Sequence, residues 1–363
     1  MIKKNTTVSK RKKAEPIIVD QKTFKKDNNV KIPLPGVIFF LVLLTSTSFF
    51  AGSSWVKNKT GIITTTTKNA PGAVADANTK NIDIKKSGKP ELKFFVMSFC
   101  PYGNQIEDVL RPVFDALGNK ADITPHYILE KITGNLPDYC KTRTGDPTQC
   151  ETYVKNSNGQ LKSVEDCQKL IADETKKCSD ESSYLKIGDN LYTSLHGRQE
   201  ATEDVREICA WNQTENNRKG WWDFVANVNK NCTAQNSDSC WEAQAKAAGL
   251  DTNKITDCFN KEAGSLIDKE IALTTQFKVQ GSPTTLINDV NFPPETAYAQ
   301  DGKGSVQIGN KVITQDQFRT PNGMKDALCG SFNKAPKECN TQLAAPVAPA
   351  GAGAAPAAGG CGQ

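Results

Sequence analysis

Apolar positions after residue 90 alternate between short runs and helical spacing. The run from Leu92 to Met97 predicts a buried strand, and apolar residues then recur every three or four positions from Ile106 to Leu117. Ile123 to Leu129 predicts a second strand, and Pro125 within it favours the edge of a sheet. The folded region therefore begins with a strand, a helix and a strand.

The long segment 135–278 has mostly helical periodicity and forms a cysteine-rich helical insertion. The predicted helices are Val164–Cys178, Glu200–Trp211, Trp221–Val228, Cys240–Ala248, Asn253–Phe259 and Leu266–Phe277. We expect Trp221 and Trp222 to pack in the core rather than to form a ligand site, because aromatic side chains bury large areas.

Strand patterns return after the insertion. They cover Thr284–Asn288 and Val306–Ile313, and Thr320 then predicts an N-cap with Pro321 at the first helical position. The predicted class is α/β, in the order strand, helix, strand, helical insertion, two strands and a last helix.

The two ends of the chain lack the composition of a folded domain. Residues 1–31 are rich in lysine and predict a basic cytoplasmic tail, whereas residues 32–56 carry no charge and are about long enough to span a bilayer. Residues 57–88 predict a flexible linker, and the Ala/Pro/Gly-rich residues 344–363 predict a disordered tail. The folded domain is expected at 89–343.

The uncharged segment has two interpretations. The long basic stretch before it favours one uncleaved transmembrane helix, whereas the small residues Ala51, Gly52 and Ser53 are compatible with signal-peptide cleavage. An uncleaved anchor places the N-terminus in the cytoplasm and the folded domain outside it, at the cell membrane. The 12 cysteines agree with this location, because disulfides persist outside the cytoplasm.

Composition also limits the classes of ligand that the protein is expected to bind. The net charge of +5 comes largely from the basic tail, so the folded part gives no case for nucleic-acid binding. The cysteines lack the two-residue spacing of a zinc knuckle, and His126 and His196 are isolated in the sequence. We therefore predict no metal site and no cofactor.

Cys100 lies where the first strand turns into the first helix, and Pro101 suits the first helical position. Backbone N–H groups and the helix dipole stabilise a thiolate there, so we expect the pKa of Cys100 to lie below that of free cysteine. Gly103, three residues along, stands where a second cysteine would complete a dithiol motif. A dithiol cycle cannot run within this motif.

The order of elements is that of a thioredoxin-like fold, and residues 279–288 resemble its cis-proline loop. That resemblance implies a cis bond between Ser282 and Pro283 and a Ser282 backbone that pairs with an extended peptide. The chain resembles the DsbA-like branch of the thioredoxin superfamily, whose helical domain is inserted between the halves of the fold. Pro101, Tyr102, Ser282 and Pro283 are the substrate-binding candidates.

Other motifs are similar to the thioredoxin-like luminal segment of plant vacuolar sorting receptors. They are His196-Gly197, Val205 to Cys209, Trp221 to Val225, and Ala327 to Phe332 followed by Cys339. Phe99-Cys100-Pro101 and Pro283-Thr284 are similar to elements of the same receptors. DsbA-like enzymes exchange disulfides with two cysteines, whereas the receptors are binding proteins.

Two functions remain open. In the first, Cys100 acts as a single active-site cysteine in a thiol-disulfide oxidoreductase or isomerase, forming mixed disulfides with protein or peptide thiols. An external thiol reductant, a membrane redox partner or another cysteine of the chain then releases it. In the second, the domain is redox-inactive and binds a peptide or protein beside Pro283.

Cys361 is the second catalytic candidate, as the resolving thiol that Gly103 does not supply. If the other ten cysteines pair among themselves, Cys100 and Cys361 remain, and an arm from Cys339 has a reach of roughly 25 Å. An incidental tail thiol or a cross-link between chains is the alternative. Cys329 and Cys339 are expected to pair with each other across a short loop.

Overall fold

A computed structural model describes residues 79–157, 159–344 and 361–362. The strands are β1 (Thr79–Asn81), β2 (Glu91–Val96), β3 (Asp122–Tyr127), β4 (Glu130–Lys131), β5 (Leu185–Ile187), β6 (Asn190–Thr193), β7 (Gly281–Ser282), β8 (Thr284–Ile287), β9 (Val290–Asn291), β10 (Ser305–Ile308), β11 (Lys311–Thr314) and β12 (Cys361–Gly362). The helices are α1 (Pro101–Leu117), α2 (Leu136–Thr144), α3 (Cys150–Asn156), α4 (Val164–Cys178), α5 (Arg198–Gln213), α6 (Arg218–Asn231), α7 (Ser237–Ala247), α8 (Thr252–Gln276) and α9 (Pro321–Gly330).

The predicted basic tail and transmembrane anchor lie outside the described residues. Within those residues, no helix is long and apolar enough to cross a membrane.

The central sheet has the strand order β3-β2-β8-β9. β3 runs parallel to β2, whereas β8 runs antiparallel to it, with Phe94 opposite Thr285. β3 lies at the edge, which confirms the prediction from Pro125. Leu92, Phe94 and Val96 are fully buried in the main core beside α1. This sheet places the end of β2 next to the start of β8.

A second sheet joins the two ends of the folded region. β1 pairs in parallel with β10, and Ile84 is buried behind it, so regular structure begins before the predicted boundary at residue 89. The predicted strand Val306–Ile313 is a hairpin of β10 and β11 rather than one strand. Gly309 turns the chain there at φ 59°, a conformation that glycine adopts without strain.

The insertion is helical as predicted, but one predicted break is absent. Asn253–Phe259 and Leu266–Phe277 belong to the single helix α8, because Ile255, Ala263 and Ile267 continue one buried face across the interruption. A small sheet of order β4-β6-β5, which the sequence pattern did not reveal, joins the insertion to the segment that follows β3.

The tryptophan pair packs the insertion onto the central sheet. Trp221 and Trp222 are 0% and 2% exposed, which confirms their predicted core position. The Trp222 ring stacks on Phe94 with centroids 5.8 Å apart, and Trp221 Nε1 donates a hydrogen bond to the Glu207 carbonyl oxygen at 3.0 Å. The insertion and the thioredoxin-like halves therefore share one core.

All 12 cysteines are in disulfides. The pairs are Cys100–Cys361, Cys140–Cys178, Cys150–Cys167, Cys209–Cys258, Cys232–Cys240 and Cys329–Cys339. The Cys329–Cys339 disulfide confirms the pairing predicted across the short loop after α9.

Candidate active site

Cys100 is the N-cap residue of α1, and Pro101 occupies the first helical position. The Cys100 backbone is extended, at φ −77° and ψ 117°, so the chain changes from strand to helix at this residue. The side chain is fully buried against Phe95, Met97, Ile128 and Leu286. The sulfur therefore lies at the positive end of a helix, in an apolar setting.

Cys361 packs against the same apolar cluster as Cys100. The two residues form a disulfide with their Cα atoms 6.1 Å apart. Cys361 and Gly362 form β12, which pairs antiparallel with β7 and places Cys361 opposite Ser282. Part of the tail predicted to be disordered thus forms a strand beside the cis-proline loop.

The cis-proline loop contacts the end of β2 directly. The bond between Ser282 and Pro283 is cis, which confirms the prediction. Ser282 is buried, its Oγ accepts a hydrogen bond from Met97 N at 3.2 Å, and its carbonyl oxygen lies 3.6 Å from Cys100 Sγ. The loop is therefore held against both Cys100 and the strand that precedes it.

Gly103 has no room for a side chain. A Cβ atom there would lie 2.7 Å from Ser282 Oγ and 3.2 Å from the Met97 carbonyl oxygen. The Ser282 hydroxyl of the cis-proline loop thus lies too close to Gly103 for a Cβ atom to fit without a shift. A cysteine at position 103 would therefore require the Ser282 side chain to shift.

The substrate-binding candidates lie around the disulfide in different environments. Pro101 is exposed, and Tyr102 is half-buried and packs on the apolar cluster that holds Cys100. Ser282 pairs through its backbone with Cys361, and Pro283 is half-buried where β8 begins. The structure therefore brings together all six predicted site residues.

The turn before Cys100 is held by carboxyl groups of α5. Ser98 donates from both N and Oγ to Asp204 Oδ1, at 2.9 and 2.5 Å, and Phe99 N donates to Glu200 Oε1 at 3.0 Å. Both acidic side chains are fully buried. The insertion therefore fixes the backbone that leads into Cys100.

Three more carboxyl groups are buried and have polar partners, those of Glu107, Glu203 and Glu207. Glu207 Oε2 accepts from the Tyr127 hydroxyl at 2.7 Å, and Glu107 Oε2 accepts from Asn229 Nδ2 at 2.6 Å. Glu203 pairs with Arg206 at 2.9 Å. Buried carboxyl groups with polar partners therefore lie close to the apolar cluster that surrounds the disulfide.

Burial changes the ionisation of these groups. It raises the pKa of Glu107 to about 8 and that of Glu203 to about 7. Burial, together with neighbouring negative charge, raises the pKa values of Asp204 and Glu207 well above the ordinary range. The cluster therefore carries much less negative charge at neutral pH than its composition implies.

The sequence analysis missed this cluster. Glu200, Glu203, Asp204 and Glu207 have the i, i+3, i+4, i+7 spacing of one helical face, and that spacing is the signal that was available. His196 is not isolated in space, because its Nδ1 lies 2.8 Å from Glu200 Oε1, and this hydrogen bond raises the pKa of His196.

Strand order, the cysteine at the start of α1 and the cis-proline loop define a thioredoxin-like protein with a helical insertion. The family model of the vacuolar sorting receptor thioredoxin-like domain matches residues 114–298, a little over half of the chain. The chain belongs to that family. A comparison with curated protein sequences finds no match.

Two solved structures are similar at low sequence identity. The reduced disulfide bond oxidoreductase DsbG of Mycobacterium tuberculosis is 12% identical, with a TM-score of 0.35, over 72% of this chain and 88% of its own. The cytosolic disulfide reductase DsbM of Pseudomonas aeruginosa is 10% identical, with a TM-score of 0.31, over 64% of this chain and 93% of its own. The family assignment rests on the sequence match.

Proposed function

We propose that this protein exchanges disulfides with protein or peptide thiols through Cys100, and that Cys361 is its resolving thiol. The observation that carries the proposal is the disulfide between them, which joins a helix N-terminus to a strand paired with the cis-proline loop. Gly103 supplies no resolving thiol in the usual place, and the proposal therefore assigns that role to the distant Cys361.

The proposed reduction of a client balances as follows. The Cys100 thiolate attacks one sulfur of a client disulfide, and the second client sulfur leaves as a thiolate and takes a proton. The Cys361 thiolate then attacks Cys100 Sγ, which releases the first client sulfur and forms the Cys100–Cys361 bond. An external thiol or a membrane redox partner reduces that bond again, and the reverse sequence oxidises a client.

We further propose that residues 32–56 anchor the protein in the cell membrane with the folded domain outside the cytoplasm. The uncharged stretch after the basic tail and the six disulfides of the domain support this location. Protease added to intact spheroplasts should then degrade the domain linkers. Complete protection of residues 57–363 until lysis would contradict this orientation.

A redox-inactive binding domain is the second candidate. The complete burial of Cys100 favours it, because a buried disulfide is shielded from attacking thiolates. In that case the Cys100–Cys361 bond is structural, like the other five.

Redox titration separates the two candidates. The full chain is equilibrated in glutathione buffers of increasing reducing strength, quenched by alkylation and mapped by mass spectrometry. Under the exchange proposal, Cys100 and Cys361 are alkylated first, while the other five disulfides and the circular dichroism spectrum are retained.

Two serine variants assign the roles. Cys361→Ser should accumulate mixed disulfides between Cys100 and a client peptide, because nothing in the chain resolves them, and Cys100→Ser should form none. If the Cys100–Cys361 bond is reduced only together with the others, as the protein unfolds, the bond is structural and the exchange proposal fails.

A further inference from the structure

Glu200 of α5 connects a histidine at the surface to the turn before Cys100. One of its carboxyl oxygens, Oε1, lies 3.0 Å from Phe99 N and 2.8 Å from His196 Nδ1. The other oxygen, Oε2, accepts a hydrogen bond from His196 N at 2.8 Å. Phe99 immediately precedes Cys100, so the imidazole and the backbone that leads into the cysteine share one oxygen atom.

The surroundings of Glu200 suit a carboxylate rather than a carboxylic acid. Two backbone N–H groups and the His196 ring face its two oxygens, and its side chain is fully buried. Glu200 also lies in the first turn of α5, where the positive end of the helix dipole favours an anion. A buried anion needs a nearby cation, because an uncompensated charge is costly in low-dielectric surroundings.

His196 can supply that cation. Its side chain is 31% exposed, so solvent can exchange a proton with the ring. The hydrogen bond to Glu200 raises the pKa of His196 above its ordinary value of 6.5, so the ring keeps its proton to a higher pH than a free histidine does. Nδ1 can donate to the carboxylate in both ionisation states of the ring. Titration of His196 therefore changes the charge beside the turn without removing this hydrogen bond.

Other ionisable groups lie around α5. Within the part of the chain that the structure describes, Glu200 is the one charged partner of the His196 ring. Burial raises the pKa of Asp204 well above its ordinary range, so Asp204 adds little charge at neutral pH. Further ionisable groups that contact α5 or its carboxyl groups include Glu107 of α1, Tyr127 of β3, Arg218 of α6, Asp238 of α7, and Arg198, Glu203, Arg206 and Glu207 of α5 itself.

We infer that His196 is a positioning residue for the reaction at Cys100, an inference that rests on the proposed exchange function. Its protonated ring balances the charge of Glu200 behind the turn, and this balance favours the Cys100 thiolate over the thiol. Loss of the proton leaves the carboxylate charge uncompensated beside the start of α1, where it disfavours the thiolate. The His196 ring and the Cys100 sulfur are therefore coupled, because each holds its charge more readily while the other is charged.

The test is a titration of Cys100 in the full chain carrying Cys361→Ser. The other ten cysteines remain in five disulfides, so Cys100 is the only thiol. Its ionisation is followed by the ultraviolet absorbance of the thiolate as pH is raised, with the chain that also carries Cys100→Ser as the baseline. This measurement does not require a reagent to reach the buried sulfur.

Two substitutions of His196 separate its charge from its shape. His196→Gln should raise the pKa of the Cys100 thiol by about one pH unit, because glutamine keeps a donor for Glu200 but has no charge to gain. His196→Lys, which stays charged, should leave the pKa of the thiol at or below that of the parent chain. The parent and both variants share every other ionisable group around α5, so the difference reports on His196.

The other histidine provides a matched control. His126 Nδ1 also faces a buried carboxyl group, with Glu270 Oε2 at 3.2 Å. That oxygen accepts a hydrogen bond from Tyr127 N of β3 at 3.0 Å rather than from the turn before Cys100. His126→Gln should therefore leave the pKa of the Cys100 thiol unchanged.

A second measurement needs no substitution of a histidine. The chain has only two histidines, so NMR can follow both ring titrations in one sample. The pKa of His196 should be higher in the Cys361→Ser chain, where Cys100 can ionise, than in the chain that also carries Cys100→Ser. The pKa of His126 should be the same in both chains.

The outcomes separate this inference from the function on which it rests. Equal thiol pKa values in the His196→Gln and His196→Lys chains, or an equal rise in His126→Gln, overturn the role of His196 and leave exchange at Cys100 intact. A His196 pKa that is the same with and without the Cys100 thiol also overturns that role, even where a substituted histidine prevents folding. Failure of the Cys361→Ser chain to form mixed disulfides with a client peptide overturns the exchange function itself.

Discussion

Cys209–Cys258 and Cys100–Cys361 are the same chemical bond in two different settings. Cys209 lies within α5 and Cys258 within α8, two helices that pack together, and the two residues are 49 positions apart. Cys100 is the N-cap of α1, and its partner 261 positions away lies in a two-residue strand. One disulfide joins two helix bodies and the other joins a helix start to a strand on a sheet edge.

The difference shows what separates a structural disulfide from one suited to exchange. A thiolate released at Cys100 gains the N–H groups and the dipole of α1, whereas one released within α5 gains neither. Reduction of Cys209–Cys258 also leaves two sulfurs between packed helices. Both cysteines are buried, so under the proposed exchange function Cys100 differs from Cys209 in its position at a helix N-terminus and beside the cis-proline loop.

The largest expected effect is a loss of stability when the Cys209–Cys258 disulfide is removed. Replacing both Cys209 and Cys258 with alanine should lower the free energy of unfolding by about 4 kcal/mol, because a loop of that length is no longer closed in the unfolded chain. Urea unfolding followed by tryptophan fluorescence measures the change. The folded fraction should still form the Cys100–Cys361 bond.

The matched control is the pair Cys232 and Cys240, which are only 8 positions apart. Its double alanine variant should lose about 2 to 3 kcal/mol in the same account. Equal losses of unfolding free energy in the two variants would mean that strain or packing, rather than loop length, determines how much each disulfide stabilises the protein.

A smaller effect concerns pH, since α1 carries both Cys100 at its N-cap and the buried carboxyl group of Glu107. Burial raises the folded-state pKa of Glu107 to about 8 from an ordinary value of 4.5, so between those values the folded state holds a proton that the unfolded chain has released. The stabilisation is fully present below the unfolded pKa and is lost as pH rises through the folded pKa.

We therefore expect the free energy of unfolding to fall by on the order of 2 kcal/mol between pH 5 and pH 8. Glu107→Gln, a neutral side chain of the same shape, should make this fall shallower, and the raised pKa values of Glu203, Asp204 and Glu207 should account for the fall that remains. A curve that rises toward pH 8 in the wild type would mean that the carboxyl groups are ionised in the fold.

The smallest expected effect concerns the packing of Gly103 against Ser282. Gly103→Ala should destabilise the protein by about 1 kcal/mol, although the same change in an exposed helix stabilises it, because the new Cβ forces Ser282 Oγ away from Met97 N. Thermal unfolding measures the shift.

The double variant Gly103→Ala with Ser282→Ala should recover most of the loss relative to Ser282→Ala alone, because the opposing oxygen is gone. If Gly103→Ala is neutral or stabilising on its own, the cis-proline loop does not restrict the space at position 103.

Local patterns predicted the parts of this fold that local chemistry determines. The bounds of α1 and the Thr320 N-cap follow from side-chain spacing and from hydrogen bonds within a few residues, and the structure confirms both. The resemblance to known families supplied the cis bond before Pro283, which the structure also has. Counting cysteines left Cys100 and Cys361 outside the structural pairs; their catalytic roles stay predictions.

The sequence did not reveal the features that depend on contacts between distant segments. β5 and β6 are too short for a period to be visible, and β1 is defined by its pairing with β10 rather than by its own composition. The carboxyl groups of Glu200 and Asp204 look like solvated residues in the sequence, because their partners at Phe99 and Ser98 are about a hundred residues away.

Those same hydrogen bonds determine whether the helical insertion is a removable module. Excising residues 135–278 to leave a minimal thioredoxin core would strip the N–H groups of Ser98 and Phe99 of their acceptors. The Tyr127 N–H, which donates to Glu270 of α8 at 3.0 Å, would lose its acceptor as well. A shortened protein would thus lack the groups that shape the entry to α1. For protein engineering, the insertion and the cysteine turn form one unit that must be transplanted together.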